Sequence, residues 1–475
     1  MKCLTAMIVL LAVAGAQAHA SDRIFAGETA IQFEASNGET ADAFEGRITV
    51  PENRSDAQSR VIELAYVRFP ATGEQPGNPI VYLAGGPGGS GIATARGPRF
   101  SLFMEMRRHG DVIAFDQRGT GQSTALPDCE SGIVLDSMTV HTDEEVADAF
   151  RAAARECREF WFGEGVDIAN YTTLDSVADL SAVRAHFGAE QITLWGISYG
   201  SHLALAAIDW IPDEIDRAVL ASVEGLDQTV KLPARTDAYF QRLKAAIDTQ
   251  PAAAAIYPDL PGLIRRVHAR LDEQPMETAL GLIQRADMQQ LASFLISDPS
   301  RVSLLAAIYA QLDAGETAVL EGMIARFGGL DAPIRLRAMP TAMDVASGIS
   351  AERLALFEAQ APDGIIGRYL NAPMPQLAGL WPDLDLGDEF RAGPVGDIPV
   401  LMLSGTLDGR TYPESQHQAV AGLSRVTAVT VVNAGHNLFM SSPDVAAAIH
   451  RFMQNEDGIP AEIVVDLPDF TASPF

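Results

Sequence analysis

The chain has few cysteines, few basic residues and, beyond its first twenty residues, no long hydrophobic run. Its 475 residues include three cysteines, and 34 lysines and arginines stand against 62 aspartates and glutamates, which gives a formal net charge of −28. An acidic surface of this kind repels nucleic acid and anionic lipid, so we expect neither a nucleic-acid nor a membrane partner. No later segment offers the roughly 18 uninterrupted apolar residues of a membrane span.

The sequence also lacks the motifs of a metal or nucleotide cofactor. Its cysteines and histidines form no cluster with the spacing of a zinc site. The glycine-rich run at residues 85–90 lacks the Lys-Ser/Thr ending of a P-loop and the spacing of a dinucleotide fingerprint. We therefore predict chemistry without metal or cofactor.

The N-terminus is typical of an exported protein. An apolar run over residues 4–16 leads into Ala-Gln-Ala and Ala-His-Ala, which predicts a signal peptide over residues 1–20 with cleavage after Ala18 or Ala20. We expect a periplasmic or secreted protein. Cys129 and Cys157 would then remain in an oxidising compartment, which favours a disulfide between them over two buried free thiols.

Short apolar strand-like runs alternate with helical stretches in the first half of the chain and again near its end. This alternation predicts an α/β fold with a mostly parallel sheet covered by helices on both faces. Residues 227–391 instead carry amphipathic helical patterns broken by prolines. We predict a core formed by residues 21–226 and 392–475 and a helical cap at residues 227–391, which would roof a site at the carboxyl ends of the strands.

The most informative motif is Gly196-x-Ser198-x-Gly200, between a strand-like run ending at Trp195 and a helix-like run from Ser201. It predicts a nucleophile elbow, a sharp strand-to-helix turn that exposes the serine hydroxyl. This turn is the nucleophile position of the α/β-hydrolase fold, so the expected fold is that one, with an inserted helical cap.

A serine nucleophile needs a histidine base and an acid that orients it, in the chain order serine, acid, histidine. Asp408 and His436 each follow a late strand-like run in a glycine-containing loop, so we predict the triad Ser198, Asp408 and His436. Alternatives for the acid are Asp383, Asp385 and Asp397. The remaining histidines past the signal segment lie before the nucleophile or in helical patterns, where surface or packing roles are expected: His109, His141, His186, His202, His268, His417 and His450.

The tetrahedral intermediate needs N–H donors aimed at its oxygen. One should be the backbone N–H of Tyr199, which follows the nucleophile. The other should come from the glycine-rich run at residues 85–90, and we predict Gly86 as the donor. For the segment Asp116-Gln-Arg-Gly, a turn that braces the sheet is favoured over a pocket-lining loop.

These motifs together resemble the serine peptidases of the α/β-hydrolase class that includes prolyl aminopeptidases and secreted tripeptidyl aminopeptidases. The resemblance rests on GGPGGS at residue 85, DQRGTGQS at 116, GISYGS at 196, GTLD at 405 and Gly435-His436, with Ala84 where many relatives have histidine. It implies release of residues from free amino ends of peptides, with acidic groups holding the ammonium. Glu224 is the candidate for that anchor; the alternative is a loop glutamate without substrate contact.

Three functions remain open from the sequence. The first is an exported serine aminopeptidase with peptide substrates, and the second is an esterase or lipase-like hydrolase with the same machinery. The third is a non-catalytic binding protein on a hydrolase scaffold, which the intact serine, acid and histidine positions disfavour. An epoxide hydrolase or dehalogenase is disfavoured because those enzymes carry a carboxylate at the elbow.

Overall fold

The structure, a computed structural model, describes residues 23–326 and 331–472. The predicted signal peptide lies outside these residues. None of the helices in the described part of the chain is both long and apolar enough to cross a membrane.

The described residues form fourteen strands, most of them short and buried. In chain order the strands are β1 (Thr29–Glu34), β2 (Thr40–Pro51), β3 (Val61–Phe69), β4 (Ile80–Leu83), β5 (Val112–Phe115), β6 (Cys129–Glu130), β7 (Ile192–Ile197), β8 (Ile215–Ala221), β9 (Met276–Thr278), β10 (Gly281–Ile283), β11 (Arg335–Leu336), β12 (Val400–Gly405), β13 (Val426–Val432) and β14 (Glu462–Val464).

Seventeen α-helices lie between the strands of the described chain. They are α1 (Gly91–Arg96), α2 (Phe100–Met106), α3 (Asp143–Gly163), α4 (Thr173–His186), α5 (Tyr199–Trp210), α6 (Pro233–Asp248), α7 (Pro251–Ile256), α8 (Leu260–Glu273), α9 (Arg285–Leu295), α10 (Val302–Asp313), α11 (Ala318–Arg326), α12 (Ala338–Ser347), α13 (Ala351–Gln360), α14 (Met374–Leu377), α15 (Gly387–Arg391), α16 (Pro413–Ala419) and α17 (Pro443–Met453).

Ten strands form one sheet in the order β1-β2-β3-β5-β4-β7-β8-β12-β13-β14. The seven strands from β5 to β14 run parallel, and β1, β2 and β3 add an antiparallel edge. The predicted α/β-hydrolase fold, with its mostly parallel sheet, is confirmed. Strand β7 lies near the middle, so the serine that follows it is central.

Both faces of the sheet are covered, because alternate residues of each strand point to opposite sides. Tyr82 of β4 packs on one face with side chains from α1, α2 and α17. Val81 packs on the other face with side chains from α4 and α5. This burial on both sides explains why the parallel strands read as continuous apolar runs.

The chain between β8 and β12 is mainly helical, as the sequence indicates. Its described residues hold α6 to α15 and three short strands, none of which joins the main sheet. The domain boundaries themselves stay a prediction.

A second segment, between β5 and α4, packs against this helical region. Strand β6 pairs with β11, and Trp161 of α3 is buried in one cluster with Trp381. Cys129 and Cys157 form a disulfide with their Cα atoms 5.6 Å apart, which joins β6 to α3. The predicted disulfide therefore fastens a segment that the sequence does not mark as part of the cap region.

Candidate active site

Ser198 occupies a strained turn between β7 and α5. Its φ of 55° and ψ of −129° are sparsely populated for a residue with a side chain, a strain of about 1–3 kcal/mol that surrounding packing has to hold. A Cβ on Gly200 would lie 2.0 Å from the Leu83 carbonyl oxygen, and one on Gly196 would lie 2.6 Å from the Gly200 carbonyl oxygen. The elbow therefore needs glycine at both flanking positions.

Asp408 and His436 meet at the carboxyl ends of β12 and β13. The His436 Nδ1 atom is 3.0 Å from both carboxylate oxygens of Asp408. Asp408 is fully buried, and it also accepts hydrogen bonds from the backbone N–H groups of Arg410 and Thr411 and from the Thr411 hydroxyl. Burial by itself would raise the pKa of Asp408, but His436 and these donors outweigh it and lower the pKa. The carboxylate is thus kept ionised beside the imidazole.

The loops that carry these two residues rest on the turn between α9 and α10. The backbone N–H of His436 donates to the Ser297 carbonyl at 3.0 Å. A Cβ on Gly409 would lie 2.2 Å from the Ile296 carbonyl oxygen, so this loop also approaches the turn closely. On the other side, the Ser222 hydroxyl donates to the His436 carbonyl at 2.8 Å. These contacts are not visible in the sequence, because they join residues far apart in the chain.

Ser198 and His436 line one cavity of about 320 Å³, together with Gly86, Glu224 and Lys231. The Ser198 hydroxyl and His436 are not joined by a hydrogen bond among the contacts of the described residues. Such bonds are often long without substrate and shorten in the reacting complex. The cavity brings the predicted nucleophile, the predicted base and the predicted oxyanion loop to one place.

The backbone N–H groups of Gly86 and Tyr199 make no hydrogen bond within the described chain, so both are free to donate. Gly86 has a φ of 132°, which a residue with a Cβ would adopt only under strain. Tyr199 is the first residue of α5, where an N–H has no partner inside its own helix.

Hydrogen bonds with the turn after β5 hold the glycine-rich loop in place. The Asp116 carboxylate accepts from the Ser90 hydroxyl at 2.6 Å and from the Ile92 N–H at 3.0 Å, and the Gln117 amide donates to the Ala84 carbonyl at 3.2 Å. Asp116 is itself completely buried. These contacts are those of a bracing turn, and they support the glycine-rich loop at Ala84 and at Ser90.

Glu224 lies in the same cavity but is not a free carboxylate. Its Oε2 atom is 2.8 Å from the ammonium of Lys231, and both side chains are nearly inaccessible. Burial opposes its ionisation, but the charge and hydrogen bond of Lys231 together with the charges of His202 and Arg410 outweigh burial, so the pKa of Glu224 is lowered. The sequence indicates Glu224 but gives no sign that Lys231 is its partner.

A second carboxylate, Asp344 of α12, lies close enough to Glu224 for the charge of Glu224 to affect its pKa. It lines an adjoining cavity of about 250 Å³, which shares Gly86 and Asn371 with the first. Its Oδ1 atom is shielded from solvent and has no hydrogen-bond partner within the described residues. Burial, aided by the charge of Glu224, raises the pKa of Asp344 to about 8. No sequence motif marks this residue.

The alternative acids lie elsewhere. Asp383 pairs with Arg158, Asp385 pairs with Arg391, and Asp397 is on the chain before β12, away from the cavity lining.

The other histidines also have partners or surface positions away from the serine. His202 is fully buried and bonds to the Gly225 carbonyl and the Ser347 hydroxyl, and burial lowers its pKa to about 4. The rest form local contacts or lie on the surface: His109 and His450 with each other, His186 with Tyr66, His268 with Tyr309, His141 with the Asp136 carbonyl, and His417 exposed on α16. Within the described chain, no group of three or more His, Cys, Asp or Glu side chains is arranged to hold a metal.

The fold and the residues gathered at the ends of β7, β12 and β13 define a hydrolase of the α/β class. The family model for the alpha/beta hydrolase fold matches residues 78–443, and the chain belongs to this family.

Two groups of relatives differ in how much of the chain they match. Serine protease Hip1 of Mycobacterium tuberculosis is 30% identical over 182 residues, 37% of this chain and 35% of that protein. The tripeptidyl aminopeptidase of Streptomyces lividans is 31% identical over 187 residues, 38% of this chain and 35% of that protein. The chain thus spans about a third of the length of these relatives. Carboxylesterase B of Mycobacterium tuberculosis is 26% identical over 440 residues, 83% of this chain and 80% of that protein.

Among solved structures, epoxide hydrolase A from Mycobacterium thermoresistibile aligns with 86% of this chain and 98% of that chain, at 17% identity and a TM-score of 0.38.

Proposed function

We propose that the chain is an exported serine hydrolase that cleaves amide bonds near the free amino end of peptides through an acyl-enzyme. The observation that carries the hydrolase chemistry is the contact of His436 with the buried Asp408, because His436 lines the same cavity as Ser198. The disulfide and the partial match to a tripeptidyl aminopeptidase support export and the peptidase assignment.

In the proposed mechanism, the Ser198 hydroxyl attacks the scissile carbonyl carbon while His436 takes its proton. Asp408 fixes the imidazole with its Nδ1 proton toward the carboxylate and stabilises the imidazolium. The tetrahedral intermediate then breaks its C–N bond, and His436 gives the proton to the departing amine. Water, activated by the same histidine, attacks the acyl-enzyme, releases the carboxylic acid and restores the Ser198 hydroxyl.

The Gly86 and Tyr199 N–H groups would stabilise the negative oxygen of the tetrahedral intermediate. Removing one such donor in a serine hydrolase costs about 3–4 kcal/mol of transition-state stabilisation. Asp116 and Gln117 would keep Gly86 in place, since they hold the loop on both sides of it.

The preference for a free amino end is supported by Asp344, in the cavity that adjoins the one of the serine. Beside the serine, Glu224 and Asp408 carry negative charge and Lys231 and Arg410 carry positive charge, so these four groups balance and leave Arg99 as an additional cation. A substrate ammonium that approached Asp344 would favour loss of the proton from the Asp344 carboxyl group. The resulting carboxylate would then form an ion pair with the ammonium. We therefore propose that Glu224, held by Lys231, shapes this end of the cavity and that Asp344 receives the ammonium.

A second candidate function is carboxylic ester hydrolysis, because the match to carboxylesterase B covers most of the chain. The experiment that separates the two functions compares the p-nitroanilide of alanine with its p-nitrophenyl ester. The same comparison is made for the p-nitroanilide and the p-nitrophenyl ester of a three-residue peptide, and each compound is assayed with wild type and Ser198→Ala. Turnover of the anilides that Ser198→Ala abolishes supports a peptidase. Turnover confined to the esters supports an esterase.

A further inference from the structure

Two arginines in the active-site cavity, Arg99 and Arg410, have no carboxylate partner among the described residues, although acidic residues outnumber basic ones almost two to one in the chain. Arg410 lies close enough to Glu224 for its charge to lower the pKa of that carboxyl, whereas Arg99 lies apart from both carboxylates of the site. Arg99 precedes α2 and lines the cavity with Ser198 and His436. Its guanidinium donates to the Tyr82 hydroxyl and to the side-chain oxygen of Asn437, both of which are uncharged. Within the described residues, no carboxylate lies within 4.0 Å of it.

Arg99 keeps donors free for a ligand. A guanidinium has five N–H donors in a planar fork suited to a carboxylate, and Tyr82 and Asn437 account for two of them. The two contacts fix the plane of the group, and the Phe439 ring, 5.8 Å from the guanidinium carbon, lies beside it. The guanidinium is therefore held in a fixed orientation, and it still has N–H donors available for a ligand.

The position of Arg99 relative to His436 indicates which part of a substrate it meets. Arg99 packs on the face of the sheet with Tyr82 and Phe439, and it binds Asn437, the neighbour of His436 in sequence. In a serine hydrolase the histidine delivers the proton to the leaving group, so the leaving group departs on the histidine side.

The amino-end groups belong to the other face of the sheet. The backbone N–H of Glu224 donates to the Ser201 hydroxyl of α5, the helix that packs with α4 on this face. Ser198 lies between the two faces, at the end of the central strand β7. A substrate that lies across the serine would therefore have its acyl part toward Glu224 and its leaving group toward Arg99.

We propose that Arg99 forms a subsite for a carboxylate on the leaving group, which selects substrates whose departing part is anionic. The inference rests on the proposed function for the choice of peptides as substrates. A short peptide would bring this carboxylate as its free carboxyl end, and a longer one as an aspartate or glutamate side chain. Arg99 is then a specificity-determining residue, with no part in the bond-breaking step itself.

The test uses peptides with the same free-amino acyl part and three departing dipeptides: Ala-Ala acid, Ala-Ala amide, and Glu-Ala amide. Wild type should cleave at least one of the two carboxylate-bearing peptides with a kcat/KM about tenfold or more above that of the Ala-Ala amide, as a charge-assisted hydrogen bond provides. The preferred peptide distinguishes a terminal from a side-chain carboxylate.

Arg99→Gln should reduce the ratio of kcat/KM between the preferred carboxylate-bearing peptide and the Ala-Ala amide to near one, mainly through KM. Arg99→Lys should restore part of this ratio. Arg96→Gln is the matched control, since it removes the same charge from the preceding helix at a side chain that packs over Phe33 outside the cavity. Its ratio should stay at the wild-type value. Equal kcat/KM for all three peptides in wild type, or an unchanged ratio in Arg99→Gln, would overturn the proposal.

Glycolate and glycolamide esters of the same acyl group keep this test independent of the proposed function. If peptides are not cleaved but the glycolate ester is preferred and Arg99→Gln removes that preference, the peptidase assignment fails and the Arg99 subsite stands. If peptides are cleaved without any such preference, the subsite fails and the peptidase assignment stands.

Discussion

The ammonium of Lys231 lies 2.8 Å from the carboxylate of Glu224 inside the cavity that Ser198 lines. This ion pair changes the role that the sequence suggests for Glu224. A carboxylate that is already neutralised by a buried lysine has little charge left for a substrate ammonium. We therefore propose as the acceptor Asp344, which lines the adjoining cavity and whose shielded Oδ1 atom has no hydrogen-bond partner among the described residues.

The Glu224–Lys231 pair makes a first prediction about stability. Glu224→Gln leaves a buried ammonium without its partner, and loss of one member of such a pair typically costs about 3–5 kcal/mol. The double variant Glu224→Gln/Lys231→Met removes both charges and should regain most of the lost stability. Urea denaturation of wild type, the two single variants Glu224→Gln and Lys231→Met, and the double variant gives the coupling free energy between Glu224 and Lys231. A double variant less stable than Glu224→Gln would contradict the pairing.

The raised pKa of Asp344 predicts a pH dependence of stability. In the unfolded chain Asp344 titrates near 3.8, and burial raises its pKa to about 8 in the folded protein. Folding therefore favours the protonated form. The stability linked to this proton is fully present below about pH 4 and is lost as the pH rises through about 8.

Asp344→Asn should remove this dependence. The free energy of unfolding of wild type relative to Asp344→Asn should fall between pH 5 and pH 8, by less than about 1.4 kcal/mol per pH unit because the side chain is partly exposed. Above about pH 8 the difference should level off. A pH-independent difference from chemical denaturation would show that Asp344 is ionised throughout this range in the folded protein.

The local features of the candidate site could be predicted from the sequence, because each rests on a short segment. The elbow at Ser198 and the loops of Asp408 and His436 follow from glycines and strand-like runs within a few residues. Contacts between distant segments could not be predicted this way. Lys231 beside Glu224, Ser297 beneath His436 and Asp344 on α12 depend on how the helical region packs on the sheet.

The same distinction holds for the fold. Buried parallel strands and the helical texture of residues 227–391 are visible as patterns of apolar residues. The packing of α3 and β6 against that helical region is not, since an amphipathic helix shows that it has a partner without showing which one.

The elbow makes a prediction about close packing. Gly200→Ala would place a methyl group 2.0 Å from the Leu83 carbonyl oxygen, a backbone atom of the strand that leads to the oxyanion loop. We expect a loss of about 100-fold or more in kcat/KM, because displacement of Ser198 or Gly86 by about 1 Å has that effect. Gly163→Ala, at a helical position with no atom within 4 Å, is the control and should retain activity. Wild-type activity in Gly200→Ala would contradict the close approach of Gly200 to β4.

The disulfide predicts a stability difference that depends on oxidation. It joins cysteines 28 residues apart, and a closed loop of this size stabilises a protein by about 3.5 kcal/mol in the chain-entropy description. Cys129→Ser/Cys157→Ser should unfold at lower urea concentration than the oxidised wild type, and reduction should lower the midpoint of wild type alone. Thiol alkylation of the unreduced, denatured protein that labels both cysteines would show that the bond does not form.

The central claim, amide hydrolysis at free amino ends by Ser198, is tested most directly with one pair of substrates. The pair is a three-residue p-nitroanilide with a free amino group and the same compound acetylated at that group, each assayed with wild type, Ser198→Ala and Asp344→Asn. We predict a kcat/KM at least about tenfold higher for the free-amino compound in wild type, no turnover in Ser198→Ala, and a much smaller ratio in Asp344→Asn. Equal cleavage of both compounds by wild type would contradict the account.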